Sequence, residues 1–189
     1  DQLLYMATWG GLASFNPQTK NFLLYNDQDG KTQKLASLLK LKGQNKLLVG
    51  GYIHFLRFFD VDTKKWSALY DPEHFLENSK IRPRFMHQLN DTEILICSEN
   101  RCLTKYNLEE GSFKEYPELG HYSGMAAHVY VSKKYWWVGT TKGLMQMDAQ
   151  TEKLIKVWNV ETGLSDDVIY SVLEDNYGKI WVGTNKGLN

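Results

Sequence analysis

The stretch that decides the fold is IWVGTNKGL, which occupies residues 180–188. A close copy, WWVGTTKGL, occupies residues 136–144, so the two stretches lie 44 residues apart. Each contains a short apolar run, a Gly-Thr pair, and two polar residues before a glycine that can adopt the positive φ of a tight turn. Both stretches are therefore predicted to be β-hairpins.

The apolar run recurs five times along the chain. If the fourth residue of each run is taken as its anchor, the anchors are Ala7, Gly50, Cys97, Gly139 and Gly183. The intervals between them are 43, 47, 42 and 44 residues. A period of about 40–45 residues built from short strands is typical of a propeller blade with four antiparallel strands. We therefore predict an all-β chain, a β-propeller of about four four-stranded blades across residues 1–189, with an incomplete last blade.

The fourth repeat can be traced as a complete blade. After the anchor strand, a third strand is predicted at Leu144–Met147, a polar turn at Asp148–Glu152 and a fourth strand at Leu154–Trp158. The last repeat supplies a first strand at Val168–Glu174 and a second at Lys179–Thr184, and then ends. The first repeat lacks an innermost strand, so the two terminal blades are expected to be incomplete.

Two local features depart from the repeat. A short helix is predicted at Pro72–Asn78, with Asp71 as its N-cap and Pro72 at its first position. Cys97 ends one predicted strand and Cys102 begins the next. A two-residue loop at Glu99-Asn100 would set them directly opposite, at a Cα separation of about 4.5 Å that is compatible with a disulfide. Packing as two free thiols is the alternative.

Composition excludes several classes of function. Lys+Arg and Asp+Glu are both 22, so the chain has no net charge with which to hold a nucleic acid. No run of 18 apolar residues is present, and direct membrane contact is not expected. The start at Asp1, without a leader-like stretch, fits a mature terminus or a segment of a longer protein. The two cysteines and five histidines lack the spacing of metal ligands, so no metal or cofactor is expected.

The stretch DNYGKIWVGTNKGL at residues 175–188 resembles the repeat of the two-component regulator propellers, D-x-x-G-x-[IL]-W-[IV]-G-T-x-x-G-L. WVGTTKGL at residues 137–144 is a second good copy, and ATWGGL at residues 7–12 is a fair third. The two middle repeats match the family in spacing and apolar pattern. In that family, such repeats build the periplasmic sensor region of hybrid two-component sensor kinases, especially in Bacteroidetes.

The resemblance implies a piece of a larger, seven-bladed propeller, located in the periplasm. It implies a parent protein that is a sensor histidine kinase with a phosphorelay, and oligosaccharide ligands whose sensing controls glycan-utilisation genes. The chain itself contains no histidine-kinase or nucleotide-binding motif. This segment is therefore expected to take part in sensing and not to be an enzyme.

Two other classes of function remain open. Propellers of the WD-repeat kind are protein-interaction platforms, and others are glycosidases of the sialidase type. A sialidase site needs a cluster of arginines, and only Arg82 and Arg84 of the four arginines lie close together in the sequence. The adjacent carboxylates Asp166 and Asp167 are more typical of a solvated turn than of a catalytic pair. The glycosidase is therefore the least favoured of the three.

Propeller geometry indicates where a ligand would bind. Loops from second to third strands, and from fourth strands to the next blade, emerge on the same face, so residues about one repeat apart converge there. Aromatic rings beside charged donors suit sugar recognition, because rings stack on C–H faces and the donors bind hydroxyls. The candidate ligand-binding residues on that face are Trp9, Tyr52, His54, Arg82, Arg84, His121, Tyr122 and Asp166.

The incomplete terminal blades predict a second kind of partner. An unpaired strand edge beside an uncovered apolar face is a template for pairing with another chain. We therefore expect the terminal blades to contact the remaining blades of a parent propeller. In their absence we expect homo-oligomers.

Overall fold

The computed structural model describes residues 3–26, 34–52, 56–71, 73–79, 81–122 and 125–189. Within these ranges the chain forms five antiparallel sheets, and it is 54% strand and 6% helix. It divides into two compact units, Asp1–Pro83 and Arg84–Asn189. The prediction of an all-β chain of propeller type is confirmed.

The first unit contains two sheets. Sheet 1 has the strands β1 (Leu4–Thr8), β2 (Gly11–Phe15) and β3 (Phe22–Tyr25), in that spatial order. Sheet 2 has β4 (Leu35–Lys40), β5 (Lys46–Gly51), β6 (Leu56–Asp60) and β7 (Trp66–Ala68). Helix α1 (Phe75–Ser79) follows.

The second unit contains three sheets, the first of which begins at the boundary residue Pro83. Sheet 3 has β8 (Pro83–Gln88), β9 (Glu93–Ser98), β10 (Cys102–Asn107) and β11 (Phe113–Glu115). Sheet 4 has β12 (Ala126–Val131), β13 (Tyr135–Thr140), β14 (Gly143–Asp148) and β15 (Leu154–Trp158). Sheet 5 has β16 (Ile169–Glu174), β17 (Ile180–Thr184) and β18 (Gly187–Leu188). Two 3₁₀ helices, Pro117–Tyr122 and Val160–Thr162, lie in the connections.

Apolar side chains from neighbouring sheets share each core, as expected for repeats that bury their apolar faces by stacking. In the first unit the shared core is formed by Leu12, Leu35, Leu47, Val49 and Phe59. In the second unit, one core joins sheets 3 and 4 and another joins sheets 4 and 5. A single sheet buries only one face, so stacking against like sheets buries the other.

The turns before the last strand are built in the same way in sheets 1 to 4. An Asn or Asp side-chain oxygen accepts backbone N–H groups two and three residues later, which is an Asx turn. The accepting residues are Asn16, Asp60, Asn107 and Asp148. The fourth residue after each of them adopts a left-handed backbone: these are Lys20, Lys64, Gly111 and Glu152. The repeat in the sequence is therefore a repeat in local geometry.

The predicted helix begins later than expected. Helix α1 starts at Phe75, because the Asp71 carboxylate accepts the N–H groups of Phe75 and Leu76, at 2.9 and 2.8 Å. His74 has a left-handed φ of 54°, which ends a turn from Asp71 and excludes this residue from the helix. The start at Pro72 was wrong by three residues, and Pro72 itself lies outside the described residues.

The predicted pairing of the two cysteines is wrong. Ser98 lies opposite Cys102, and Cys97 lies opposite Leu103, because the loop between β9 and β10 has three residues and not two. Both cysteines are free thiols and both are buried. Burial raises the pKa of Cys102 to about 12, and it also raises the pKa of Cys97 well above its ordinary value. Neither thiol is therefore a nucleophile at neutral pH.

The helices in the described part of the chain lack the length and apolar character of a transmembrane segment.

Candidate functional site

Trp9 lies at the tip of the turn that joins β1 and β2. The Thr8 hydroxyl donates to the Gly11 carbonyl at 2.7 Å and accepts the Gly10 N–H at 3.2 Å. Gly11 has a φ of 125°, which only glycine adopts without strain. The turn is thus held by the Thr8 hydroxyl and the backbone, and the Trp9 side chain is 72% exposed.

Lys34 and Tyr52 lie side by side at one end of sheet 2. Leu35, which begins β4, pairs with Gly51, which ends β5. The Tyr52 N–H donates to the Lys34 carbonyl at 2.9 Å and extends this pairing by one step. The Lys34 ammonium lies 5.3 Å from the centroid of the Trp9 ring, within the range of a cation–π contact.

Arg82 is positioned by a close approach of two backbone segments. A Cβ on Gly50 would lie 2.2 Å from the Ser37 Oγ and 2.8 Å from the Pro83 Cβ, so only glycine fits at this position. The Ser37 hydroxyl also donates to the Pro83 carbonyl at 3.3 Å. Arg82 is exposed between Ile81 and Pro83, which are both buried, and its guanidinium lies 6.0 Å from the centroid of the Tyr52 ring.

These four side chains line an open depression of about 450 Å³ in the first unit. Two of them are aromatic rings and two are cations, and none of the described lining residues is acidic. A volume of this size falls in the range of small-molecule sites. Chemically, the rings offer faces for stacking, and the cations offer hydrogen-bond donors without acceptors.

Three of the predicted ligand-binding residues are brought together here: Trp9, Tyr52 and Arg82. Lys34 was missed. It directly precedes the first strand of sheet 2, as Arg82 directly precedes the first strand of sheet 3. The rule that selected Arg82, a residue in the linker before an innermost strand, would have selected Lys34 as well.

Two other predicted residues form ion pairs in the second unit. Arg84 lies 3.2 Å from Glu99, and Asp166 lies 3.3 Å from Lys186. The pKa of Asp166 is lowered, first by the hydrogen bond from the Val168 N–H and then by Lys186. Both residues therefore have local partners of opposite charge.

The structure describes the last three predicted residues only in part. His54 lies outside the described residues. His121 and Tyr122 end the 3₁₀ helix Pro117–Tyr122, and their side chains also lie outside what the structure describes. As for metals, the described ranges contain no group of three His, Cys, Asp or Glu side chains that could hold an ion.

Residues 163–186 match the model of the Two component regulator propeller family. The chain carries a two-component regulator propeller repeat. The matched segment covers the connection after the 3₁₀ helix Val160–Thr162, strands β16 and β17, and the turn that follows β17. A comparison with curated protein sequences gives no match.

Solved structures share the fold of this chain at low identity. The extracellular domain of the hybrid two component system BT3049 from B. thetaiotaomicron matches with a TM-score of 0.66 and 18% identity, over 98% of this chain and 31% of that one. The extracellular domain of BT4673 from the same organism matches with a TM-score of 0.66 and 16% identity, over 98% and 30%. The WD40 β-propeller domain of Doa1 matches with a TM-score of 0.67 and 16% identity, over 100% and 59%.

These likenesses establish the β-propeller fold. The chain spans about a third of the length of the two extracellular domains that it matches.

Proposed function

We propose that this chain is a ligand-sensing segment of the periplasmic sensor region of a hybrid two-component system, and that its depression in the first unit binds an oligosaccharide. The observation that carries the proposal is the convergence of Trp9, Tyr52, Lys34 and Arg82 around one open depression. The regulator-propeller match at residues 163–186 supports the sensory role. The segment acts without catalysis, and its parent protein is a sensor histidine kinase that controls glycan-utilisation genes.

The geometry of the depression suits a sugar ring. The exposed face of Trp9 can stack on the C–H face of a pyranose, and Tyr52 supplies a second ring beside it. Lys34 and Arg82 each lie against one of these rings, so their donors are held at the rim where sugar hydroxyls would lie. An open depression, unlike an enclosed cavity, accepts part of a longer chain and leaves the remainder in solvent.

A glycan panel tests this proposal directly. Binding of oligosaccharides to the 189-residue chain is measured by calorimetry, and the same mixtures are assayed for hydrolysis. We expect micromolar to millimolar binding of at least one oligosaccharide, its loss in Trp9→Ala, and unchanged sugar chains. The matched control is Tyr177→Ala, because Tyr177 is an aromatic residue of the second unit that is 89% exposed.

The outcomes separate the three functions. Binding that Trp9→Ala and Tyr177→Ala leave equally intact would place the sugar elsewhere and overturn the proposed site. Hydrolysis of the panel would favour the glycosidase. A chain that binds no member of the panel would favour the protein-interaction propeller.

A further inference from the structure

We propose that this chain associates head to tail with a second copy of itself, through two sheet faces that its own sheets leave exposed. Sheet 4 shows how such faces are covered, because it shares one core with sheet 3 and another with sheet 5. We call the face of a sheet that meets the preceding sheet its rear face, and the face that meets the following sheet its forward face. These faces share no residue with the oligosaccharide depression, and the proposal does not depend on it.

Sheet 5 presents a forward face that is exposed. On the forward face of sheet 4, Tyr130 lies opposite Trp137, and both pack against the core shared with sheet 5. Leu144, on the same face, is only 2% exposed. The residues at the corresponding positions of sheet 5 are Leu173, Trp181 and Leu188, and they are 52%, 39% and 68% exposed. The surface that is covered in one repeat is therefore open in the next.

A glycine on this forward face indicates close approach by another strand. In sheet 4, a Cβ on Gly139 would lie 2.7 Å from the Cγ2 of Ile169, the residue that begins the first strand of sheet 5. The corresponding residue of sheet 5 is Gly183. The three atoms nearest to its Cβ position all belong to Ser171, which lies opposite it in the same sheet. Gly183 therefore leaves room for a strand of a further sheet, as Gly139 does for β16.

Sheet 1 presents a rear face that is also exposed. Side chains alternate between the two faces of a strand, and Tyr5, Ala7 and Leu12 pack toward sheet 2. The opposite, rear face is formed by Leu4, Met6, Ala13, Phe15, Phe22 and Leu24. Of these, Leu4, Phe22 and Leu24 are 54%, 66% and 54% exposed. In sheet 4, the residue that corresponds to Leu4 is Trp136, which is 3% exposed in the core shared with sheet 3.

The two exposed faces are of the kinds that meet within the chain. In the second unit, the forward face of sheet 3 packs on the rear face of sheet 4, and the forward face of sheet 4 packs on the rear face of sheet 5. A second copy carries the missing face of each kind. Contact between sheet 5 of one copy and sheet 1 of another buries Leu173 and Trp181 against Leu4, Phe22 and Leu24, which removes apolar surface from water. Because the two faces differ, the contact is heterologous and builds rings or open chains of copies.

Two substitutions separate the faces. Leu173→Glu places a charge on the forward face, and Leu24→Glu places a charge on the rear face, at residues of similar exposure. Sedimentation velocity of the 189-residue chain should show oligomers that grow with concentration. Each variant alone should remain a monomer, because the contact needs one intact face of each kind. The matched control is Ile155→Glu, which should associate as the wild type does, since Ile155 is 52% exposed on the last strand of sheet 4.

A mixture of the two variants identifies the contact as head to tail. Leu173→Glu keeps an intact rear face, and Leu24→Glu keeps an intact forward face. The equimolar mixture should therefore form a dimer with one copy of each variant and nothing larger. This dimer is the result that a contact between two identical faces does not produce.

Four results would overturn the proposal. They are a wild-type chain that is monomeric at every concentration, variants that associate as the wild type does, a mixture that stays monomeric, and a mixture that grows beyond the dimer. If only one of the two variants is monomeric, the contact joins two identical faces and the proposal also fails. Thermal melting verifies that each variant is folded. A variant that does not fold is replaced by Leu188→Glu on the forward face or by Leu4→Glu on the rear face.

Discussion

Lys64 and Glu152 occupy the same left-handed position in the turns of two different sheets, and each reaches back to the preceding sheet. Their φ angles are 58° and 57°, and each is the fourth residue after an Asx-turn aspartate, Asp60 or Asp148. The Lys64 ammonium donates to the Tyr5 hydroxyl at 2.9 Å. In the second unit, Glu152 performs the corresponding role with the opposite charge.

The residues contacted by these two side chains are also equivalent. Tyr25 lies nine residues after Asn16, and Tyr116 lies nine residues after Asn107. Lys64 lies 5.7 Å from the Tyr25 ring centroid, and Glu152 accepts the Tyr116 hydroxyl at 2.8 Å. The repeat therefore retains a position whose side chain contacts the preceding sheet, although the chemistry of this inter-sheet contact differs between the two units.

The inter-sheet contact in the second unit predicts a loss of stability in Glu152→Gln. Glu152 accepts hydrogen bonds from the ammonium groups of Lys105 and Lys114, both at 2.6 Å, and its side chain is 16% exposed. Removing the charge leaves two lysines without their shared carboxylate. We expect the free energy of unfolding to fall by about 1–2 kcal/mol, less than for a fully buried pair because Lys114 is solvated. Urea unfolding measures this free energy, and the exposed Glu161→Gln is the control. Equal effects of the two variants would contradict the stabilising role of the Glu152 contact.

The same cluster predicts a dependence of stability on pH. Burial acts to raise the pKa of Glu152, but hydrogen bonds from Lys105, Lys114 and Tyr116 outweigh it and the net shift is downward. The pKa of Glu93 is also lowered, chiefly by the hydrogen bond from Lys105. A carboxyl whose pKa is lower in the folded state stabilises the fold above its unfolded pKa of about 4.3 and loses this effect as pH falls through its folded pKa.

We therefore expect the stability difference between the wild type and Glu152→Gln to be constant near neutral pH and to shrink as the pH falls below about 4. Urea unfolding over a series of pH values measures this difference. A difference that stays constant into the acid range would show that the Glu152 charge is not involved.

Gly50→Ala is expected to damage both the fold and the candidate site. The added Cβ would lie 2.2 Å from the Ser37 Oγ and 2.8 Å from the Pro83 Cβ, so the segment that carries Arg82 must move. Overpacking of this kind costs about 1–3 kcal/mol. Unfolding and calorimetric binding of the oligosaccharide of the panel that binds best to the wild type are measured in parallel. Gly120→Ala is the control, because a Cβ there meets no heavy atom within 4 Å, and a Gly50→Ala chain that is as stable as this control would refute the steric argument.

The two cysteines are expected to behave as protected free thiols. Cys97 is fully buried and Cys102 is 3% exposed, and burial raises the pKa of both. Alkylation without a reductant should modify both thiols after unfolding and neither within minutes in the folded chain. Intact-mass analysis counts the adducts. An unfolded chain that takes up no reagent would show that a disulfide is present.

Self-association is expected for the isolated chain. Strand β1 is at the edge of sheet 1, and within the described residues no strand pairs with its outer side, where Leu4 is 54% exposed. A charge on such an edge opposes pairing. Sedimentation should show concentration-dependent oligomers that Leu4→Lys reduces. Ile155→Lys, on a complete four-stranded sheet, is the control, and a monomer at every concentration would contradict the prediction.

The sequence was sufficient for the blades because their signals are local. The Thr8-to-Gly11 turn recurs at Thr140 and Thr184, where each hydroxyl donates to a glycine carbonyl at 2.8 Å, and these residue types stand at fixed offsets in the sequence. The same offsets predicted that Trp9, Tyr52 and Arg82 share a face. Lys34 could have been selected by the same rule as Arg82, since both directly precede an innermost strand. Its contact with the Trp9 ring could not, because that contact joins two sheets and leaves no local signal in the sequence.

The errors share a physical cause, which is a non-glycine residue in a left-handed conformation. Cys102, with a φ of 55°, takes the position that Gly143 has in sheet 4 and pairs with Ser98, so the two thiols are not opposite. His74, with a φ of 54°, delays the start of helix α1. Propensity rules assign such conformations to glycine or asparagine, and neither residue is present at these positions.

In the turn at Thr8–Gly11, the residues that hold the backbone conformation differ from the residue that is presented to solvent. Its first residue supplies the hydroxyl and its last supplies the positive φ, while the second position is held through the backbone alone. That second position is Trp9 in sheet 1, Thr141 in sheet 4 and Asn185 in sheet 5. A substitution there changes what the surface presents without disturbing the turn. Sheets 1, 4 and 5 thus each provide one interchangeable contact, and the residues that these turns present can diverge while the scaffold is retained.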